Sequence, residues 1–129
     1  MTNPKSSTIV NIGVAMFTVS DQDAALEFYS RVLGFELRDD TRFGPEGEYR
    51  WVEVAPPGST ARLALNPPMG DSPGGSSIGV ETPDVEAEHA RLAAIGGVDM
   101  DAISGTEDGA PPMFVLRDPD DNSVWVVQA

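Results

Sequence analysis

The sequence predicts an α+β domain built twice over, as two successive β-α-β-β-β modules. Three observations carry that prediction. Two segments with apolar residues at three- and four-residue spacing begin at Asp21 and Asp84, 63 residues apart, and stop at Gly34 and Gly96, 62 apart. Each is preceded by one run, and followed by three, of the β-branched and aromatic residues that suit strands. The chain then closes on Asp118-Pro119-Asp120-Asp121-Asn122, turn chemistry set directly before the strand-like stretch Ser123 to Gln128.

Taken in order, Thr8 to Val19 is largely apolar and β-branched and reads as the first strand. Ser20-Asp21-Gln22-Asp23 supplies side-chain oxygens for the orphan N–H groups of a helix start. The helix runs from about Asp21 to Leu33, with Ala25, Phe28, Tyr29 and Val32 recurring along it, and Gly34 suits a left-handed end. Phe35 to Arg42 and Tyr49 to Ala55 alternate as strands on either side of the break at Gly44-Pro45-Glu46-Gly47. A second break, Pro56-Pro57-Gly58-Ser59, precedes the strand Ala61 to Asn66, which completes module 1 at about residues 8–66. Residues 67–75 form a Pro- and Gly-rich linker. Module 2, about residues 76–129, repeats the order. It has a strand from Ser77 to Thr82, a helix capped by Asp84 that carries Val85, Leu92 and Ile95, and a strand from Val98 to Ile103. A loop from Gly105 to Pro112 leads to a strand from Met113 to Arg117 and then the closing strand. Both modules belong to one domain over residues 1–129.

A chain of 129 residues can bury a core without disulfides or a structural metal. It contains no cysteine, which excludes disulfide frameworks, thiolate metal sites and cysteine nucleophiles. The N-terminal residues carry no apolar run after Lys5, and no segment approaches the roughly 18 apolar residues of a spanning helix. The expectation is a soluble cytoplasmic protein with no membrane partner. With 21 acidic against 8 basic side chains the formal charge is −13, which argues against nucleic acid, whose phosphates need a basic face. The acidity serves solubility first and permits a cationic ligand.

Val19-Ser20-Asp21 enters a helix carrying Phe28-Tyr29, Leu33-Gly34-Phe35 leaves it, and Asp118-Pro119-Asp120-x-Asn122 closes the second module. In this order the motifs resemble the vicinal oxygen chelate superfamily, the group of glyoxalase, bleomycin and fosfomycin resistance proteins and extradiol dioxygenases. The resemblance extends from about Ile9 to Gln128. It implies an eight-stranded, U-shaped mixed sheet around a cavity with the helices outside. It also implies a homodimer, formed in some relatives by exchange of modules. Elementary packing agrees on the layers, since two amphipathic helices over alternating strands need one sheet face beneath them.

Metal-dependent members of that superfamily use histidine or glutamate from the first and fourth strands of each module. The resemblance places these positions at Val14, Ala64, Ser77 and Trp125, with Val14 and Ser77 63 residues apart and Ala64 and Trp125 61 apart. None offers the imidazole or carboxylate that such ions require, and neither do their neighbours Gly13, Ala15, Leu63, Leu65, Ile78, Val124 and Val126. The expectation is a member without metal ligands or cofactor, and not a metal-dependent glyoxalase or dioxygenase. His89 reads as a partly exposed helix residue rather than a base. Asp118-x-Asp120-x-Asn122 begins like a calcium loop, but Ser123 stands where glycine belongs and Ala129 where glutamate belongs. Gly74-Gly75-Ser76-Ser77 precedes a strand and so lacks the helix N-terminus that binds phosphate.

If Val14 faces the cavity, alternation places Met16 and Thr18 there and turns Phe17 and Val19 to the helices. The same rule sets Trp51 and Glu53 opposite Val52 and Val54, and groups Arg62, Ala64 and Asn66. The expected ligand-binding residues are Val14, Met16, Trp51, Arg62, Ala64, Ser77 and Trp125. The leading reading is a metal-free protein similar to the drug-sequestering resistance proteins, binding an aromatic or planar organic molecule between two tryptophans. Two alternatives stay open. One is a metal-independent isomerase or lyase with Glu53 as base and Arg62 stabilising an enolate-like charge, although the pair also reads as a cross-strand ion pair. The other is a partner-binding module whose tryptophans fill the cavity.

Overall fold

Eight strands sort into two four-stranded mixed sheets, one per module, in a computed structural model that describes residues 6–70, 72–105, 107 and 109–129. Module 1 comprises β1 (Val14–Thr18), α1 (Gln22–Glu27, continued by the π-helical turn Phe28–Val32), β2 (Glu36–Phe43), β3 (Tyr49–Ala55) and β4 (Arg62–Asn66). Module 2 comprises β5 (Ser77–Thr82), α2 (Val85–Ile95), β6 (Asp99–Met100), β7 (Met113–Arg117) and β8 (Ser123–Gln128). The sheets run β1-β4-β3-β2 and β5-β8-β7-β6. In each, the first strand lies parallel to the last and the other pairs are antiparallel. The repeat seen in the sequence is thus a repeat of topology. The α+β class and the two modules are as expected, with the eight strands divided between two sheets that end on β1 and β5. No described helix is long and apolar enough to cross a membrane.

Three boundaries differ from expectation, each for a local reason. The first strand starts at Val14 rather than near Thr8, because its one partner among the described residues, β4, begins at Arg62 opposite Val14. Upstream of that pair the apolar residues Ile9, Val10 and Ile12 are exposed. The strand expected from Val98 to Ile103 contracts to Asp99–Met100, since beyond Asp101 the chain peels from β7 and touches it again only at the bridge Ser104–Met113. Helix α1 begins at Gln22 rather than Asp21, because Asp21 serves as its cap, with Oδ1 accepting from Ala24 N–H at 3.0 Å. Its far end widens into i→i+5 bonding, with Leu33 N–H on Phe28 O at 3.3 Å. The expected linker and the 105–112 loop cross residues 71, 106 and 108, which lie outside the described residues.

One core serves both modules. Phe17, Val19, Val52, Val54, Leu63 and Leu65 from sheet 1 join Phe114, Leu116, Val124 and Val126 from sheet 2, with Tyr29, Val85 and Leu92 from the helices. The faces so buried are the helix-side faces. Strand alternation therefore turns the opposite faces away from the core.

The closing turn fastens this arrangement. Asp118, nearly buried, accepts from Tyr29 OH at 2.9 Å and Asn122 Nδ2 at 3.0 Å through Oδ2, and from the N–H groups of Asp120 and Asn122, both at 2.9 Å, through Oδ1. Asn122 Nδ2 also donates to Thr18 O at 3.0 Å, and Asn122 Oδ1 accepts from Ser76 N–H at 3.2 Å. The turn thus holds the end of β1 and the linker at once. Gly74 lies so close that a Cβ would stand 1.8 Å from Asp120 O, at a φ of +92° that also favours glycine.

Burial first, and then the Asp118 carboxylate, push the Tyr29 phenol well above its ordinary range. In the unfolded chain the phenol ionises at about pH 10. Above that pH the unfolded state has released a proton that the folded state keeps, so this contribution to stability is complete below about pH 10 and is lost as pH rises further. An ultraviolet phenolate titration is expected to leave one of the two tyrosines protonated until the chain unfolds. Tyr29→Phe removes that alkaline loss and, by urea denaturation at neutral pH, costs about 1–3 kcal/mol because Asp118 loses a buried donor.

Candidate functional site

The face of sheet 1 turned away from α1 is built by alternation on three strands. It carries Val14, Met16 and Thr18 from β1, Arg62, Ala64 and Asn66 from β4, and Trp51 and Glu53 from β3. Register pairs Met16 with Ala64, Ala64 with Glu53 and Glu53 with Asp39, so one row crosses all four strands. Ala64 is wholly buried and forms the floor, while Met16 is 58 % exposed above its own strand.

Glu53 is the buried charge of this face. Its Oε2 accepts from the Trp51 indole Nε1–H at 2.8 Å, and its Oε1 lies 3.0 Å from Arg62 Nε. Each oxygen is therefore engaged by a donor, and a proton-abstracting role would require breaking a charge-assisted bond. What the group does in this geometry is hold the Trp51 ring at a set angle beside a guanidinium.

On sheet 2 the corresponding face presents Ser77 and Trp125. Trp125 pairs with Gly79 on one side and Val115 on the other, so the glycine leaves the indole without a neighbouring side chain on β5. The indole is 39 % exposed, and Ser77, opposite Ser123, is exposed as well. The structure brings Val14, Met16, Trp51, Arg62 and Ala64 together on one face and Ser77 with Trp125 on another. Within one chain the two groups lie on separate sheets.

Two clefts flank the sheets, and only the second borders these faces. One, of about 800 Å³, lies between the β3–β4 turn and β5 and is walled by Ala15, Val54, Leu63, Ile78 and Val80, with Arg62 on its edge. The other, of about 610 Å³, lies at the β2–β3 hairpin end of sheet 1 and is lined by Gln22, Phe43, Tyr49, Trp51, Asn66 and Met69, among others. Neither reaches Trp125. Phe43 and Tyr49 stack at 5.3 Å between centroids and are both more than half exposed. Sequence reasoning did not single them out. Tyr49 shares the Trp51 face by simple alternation, a signal that was available, whereas Phe43 depends on the hairpin register and Met69 on the path of the chain after β4.

The positions that the resemblance assigns to metal ligands do not fit a divalent cation: Val14, Ala64 and Trp125 have no donor suited to one, and Ser77 has only a hydroxyl. Among the described residues no three histidine, aspartate or glutamate side chains converge. His89 sits on α2 with Nε2 3.0 Å from Asp101 O and its ring edge-on to Phe114 at 4.8 Å, a packed helix residue.

The sequence profile of the Glyoxalase/Bleomycin resistance protein/Dioxygenase superfamily matches residues 11–126. A superfamily member from Sphaerobacter thermophilus has a solved structure that superposes with a TM-score of 0.83 at 31 % identity, covering 94 % of this chain and 98 % of that one. TnmS3, an antibiotic-binding protein from Streptomyces sp. CB03234, superposes with a TM-score of 0.80 at 31 % identity, covering 95 % and 98 %. The uncharacterized Bacillus subtilis protein YetH is 39 % identical over 59 residues, 46 % of this chain, and the match spans about half of YetH's own length, 48 %.

Removing the Glu53 carboxylate tests its positioning role. Glu53→Ala, in a Trp125→Phe background so that Trp51 is the sole tryptophan, is expected to shift the indole emission and to cost about 1–3 kcal/mol in urea denaturation. Glu53→Gln, which keeps an acceptor, retains most of the emission and loses chiefly the ion pair.

Proposed function

We infer that this chain, which belongs to the Glyoxalase/Bleomycin resistance protein/Dioxygenase superfamily, binds an aromatic or planar organic molecule and does so without the superfamily's metal chemistry. The observation that carries the reading is the pair of outward sheet faces. Each presents a partly exposed tryptophan, and the residues at the expected metal positions are apolar, aromatic or a lone hydroxyl. Flat ligands stack on indoles at little entropic cost, and sequestration requires no catalytic group. The antibiotic-binding character of TnmS3, similar over nearly the whole chain, supports the same reading.

The two faces act together in a homodimer. A second copy that lays its sheet 2 face over sheet 1 of the first would bring Trp125 of one chain opposite Trp51 of the other. It would also cover Met16, whose exposure is otherwise costly for an apolar side chain. The formal charge of −13 favours a neutral or cationic ligand over an anionic one.

A thermal-shift screen of aromatic and basic natural products decides the matter. A ligand that binds only the folded state and is present at about 100 times its Kd adds about 2.7 kcal/mol of stability, which raises the melting temperature. Trp51→Ala and Trp125→Ala are each expected to weaken the best hit by about tenfold, the loss of one stacking partner. No stabilisation across such a screen overturns the reading.

A further inference from the structure

The guanidinium of Arg62 is held on one side and open on the other. Arg62 begins β4 on the outward face of sheet 1, and its Nε lies 3.0 Å from Glu53 Oε1. Arg38, Arg50, Arg91 and Arg117 all spend Nη groups on carbonyl or carboxylate oxygens. Among the described residues Nη1 and Nη2 of Arg62 donate no hydrogen bond, and 43 % of the side chain is exposed. Nη2 lies beside Gly13, 3.7 Å from where a Cβ would stand, so that residue contributes no side chain over it.

What these donors can take follows from their chemistry. A guanidinium donates and never accepts, so its open end is matched by an oxygen acceptor on another molecule. Glu53 already balances its charge on the Nε side, and the formal charge of −13 disfavours an anion. A neutral carbonyl oxygen therefore fits better than a carboxylate. The place of that oxygen is set by the same brace. Trp51 Nε1–H donates to Glu53 Oε2 at 2.8 Å and Arg62 Nε lies against Oε1, so one buried carboxylate holds an indole and a guanidinium side by side. A flat ring laid on that indole has its edge at the guanidinium. Because Glu53 fixes both groups beforehand, little side-chain freedom is lost on binding.

We propose that Arg62 determines ligand specificity: its Nη groups donate to a carbonyl oxygen on the edge of a neutral aromatic molecule that stacks on Trp51. The proposal rests on the small-molecule reading above and adds to it the polar group that the ligand must carry. It needs one chain only, and Trp125 has no part in it.

Acetylnaphthalene and isopropenylnaphthalene, substituted at the same ring position, share a shape and differ in a carbonyl oxygen against a methylene. Quenching of Trp51 emission in the Trp125→Phe protein reads the binding of each. The ketone is expected to bind about tenfold tighter, the effect of one hydrogen bond to a charged donor. Arg62→Met is expected to bring the two probes to equal affinity, whereas Arg62→Lys, which keeps a cationic donor, retains part of the preference. In the Trp125→Phe protein itself, the Arg62 Nε–H resonance, assigned by its loss in Arg62→Lys, moves more with the ketone than with the alkene, a readout that holds even if Arg62→Met does not fold. Equal binding of the two probes, a preference that survives Arg62→Met, equal movement of the Arg62 resonance, or no quenching by either probe overturns the proposal. The broader reading is decided apart from this, by the thermal-shift screen and the Trp125 variant.

Discussion

The buried carboxylate of Asp118 is the constraint on which the rest of the structure depends. A charge taken out of water is tolerated only when donors replace its hydration. Here four do so, from Tyr29, Asn122 twice and Asp120. Those donors come from helix α1 of one module and the closing turn of the other. Asn122 passes the connection on to Thr18 at the end of β1 and to Ser76 at the start of module 2. Moving either module would strand polar groups in the interior, so the hydrogen bonds set how the repeats sit while the apolar core supplies the driving force.

That placement decides what the outward faces can do. Because both helix-side faces are spent on one core, the opposite faces are left outside it. On sheet 1 the buried Glu53 is useful as a brace: it holds an indole on one oxygen and a guanidinium on the other. On sheet 2, Gly79 leaves open space beside the Trp125 indole.

A good part of this was legible in advance. The paired helices were visible in apolar spacing and in Asp21, Asp84, Gly34 and Gly96, because capping and left-handed termination are local physics. Strand alternation sorted Phe17 from Met16 and Val52 from Glu53 without any knowledge of partners. The first strand was read too long because Thr8 to Ile12 has strand composition but no strand partner among the described residues. The sixth was read too long because composition does not report where a neighbouring strand stops. The Phe43 and Tyr49 stack was missed because hairpin register is a relation between two segments.

By itself, then, the sequence determined the modules, their order, the inward and outward residues, and the absence of ligand-type side chains at Val14, Ala64, Ser77 and Trp125. Each of these is a property of a residue and its near neighbours along the chain. Only the tertiary structure decided that Trp51 and Trp125 lie on separate sheets, that Glu53 is occupied by Trp51 and Arg62, and that Asn66 Oδ1 is left without a donor among the described residues. Those facts depend on how two sheets share a core and on which side chains then meet across it, and no spacing along one strand encodes that.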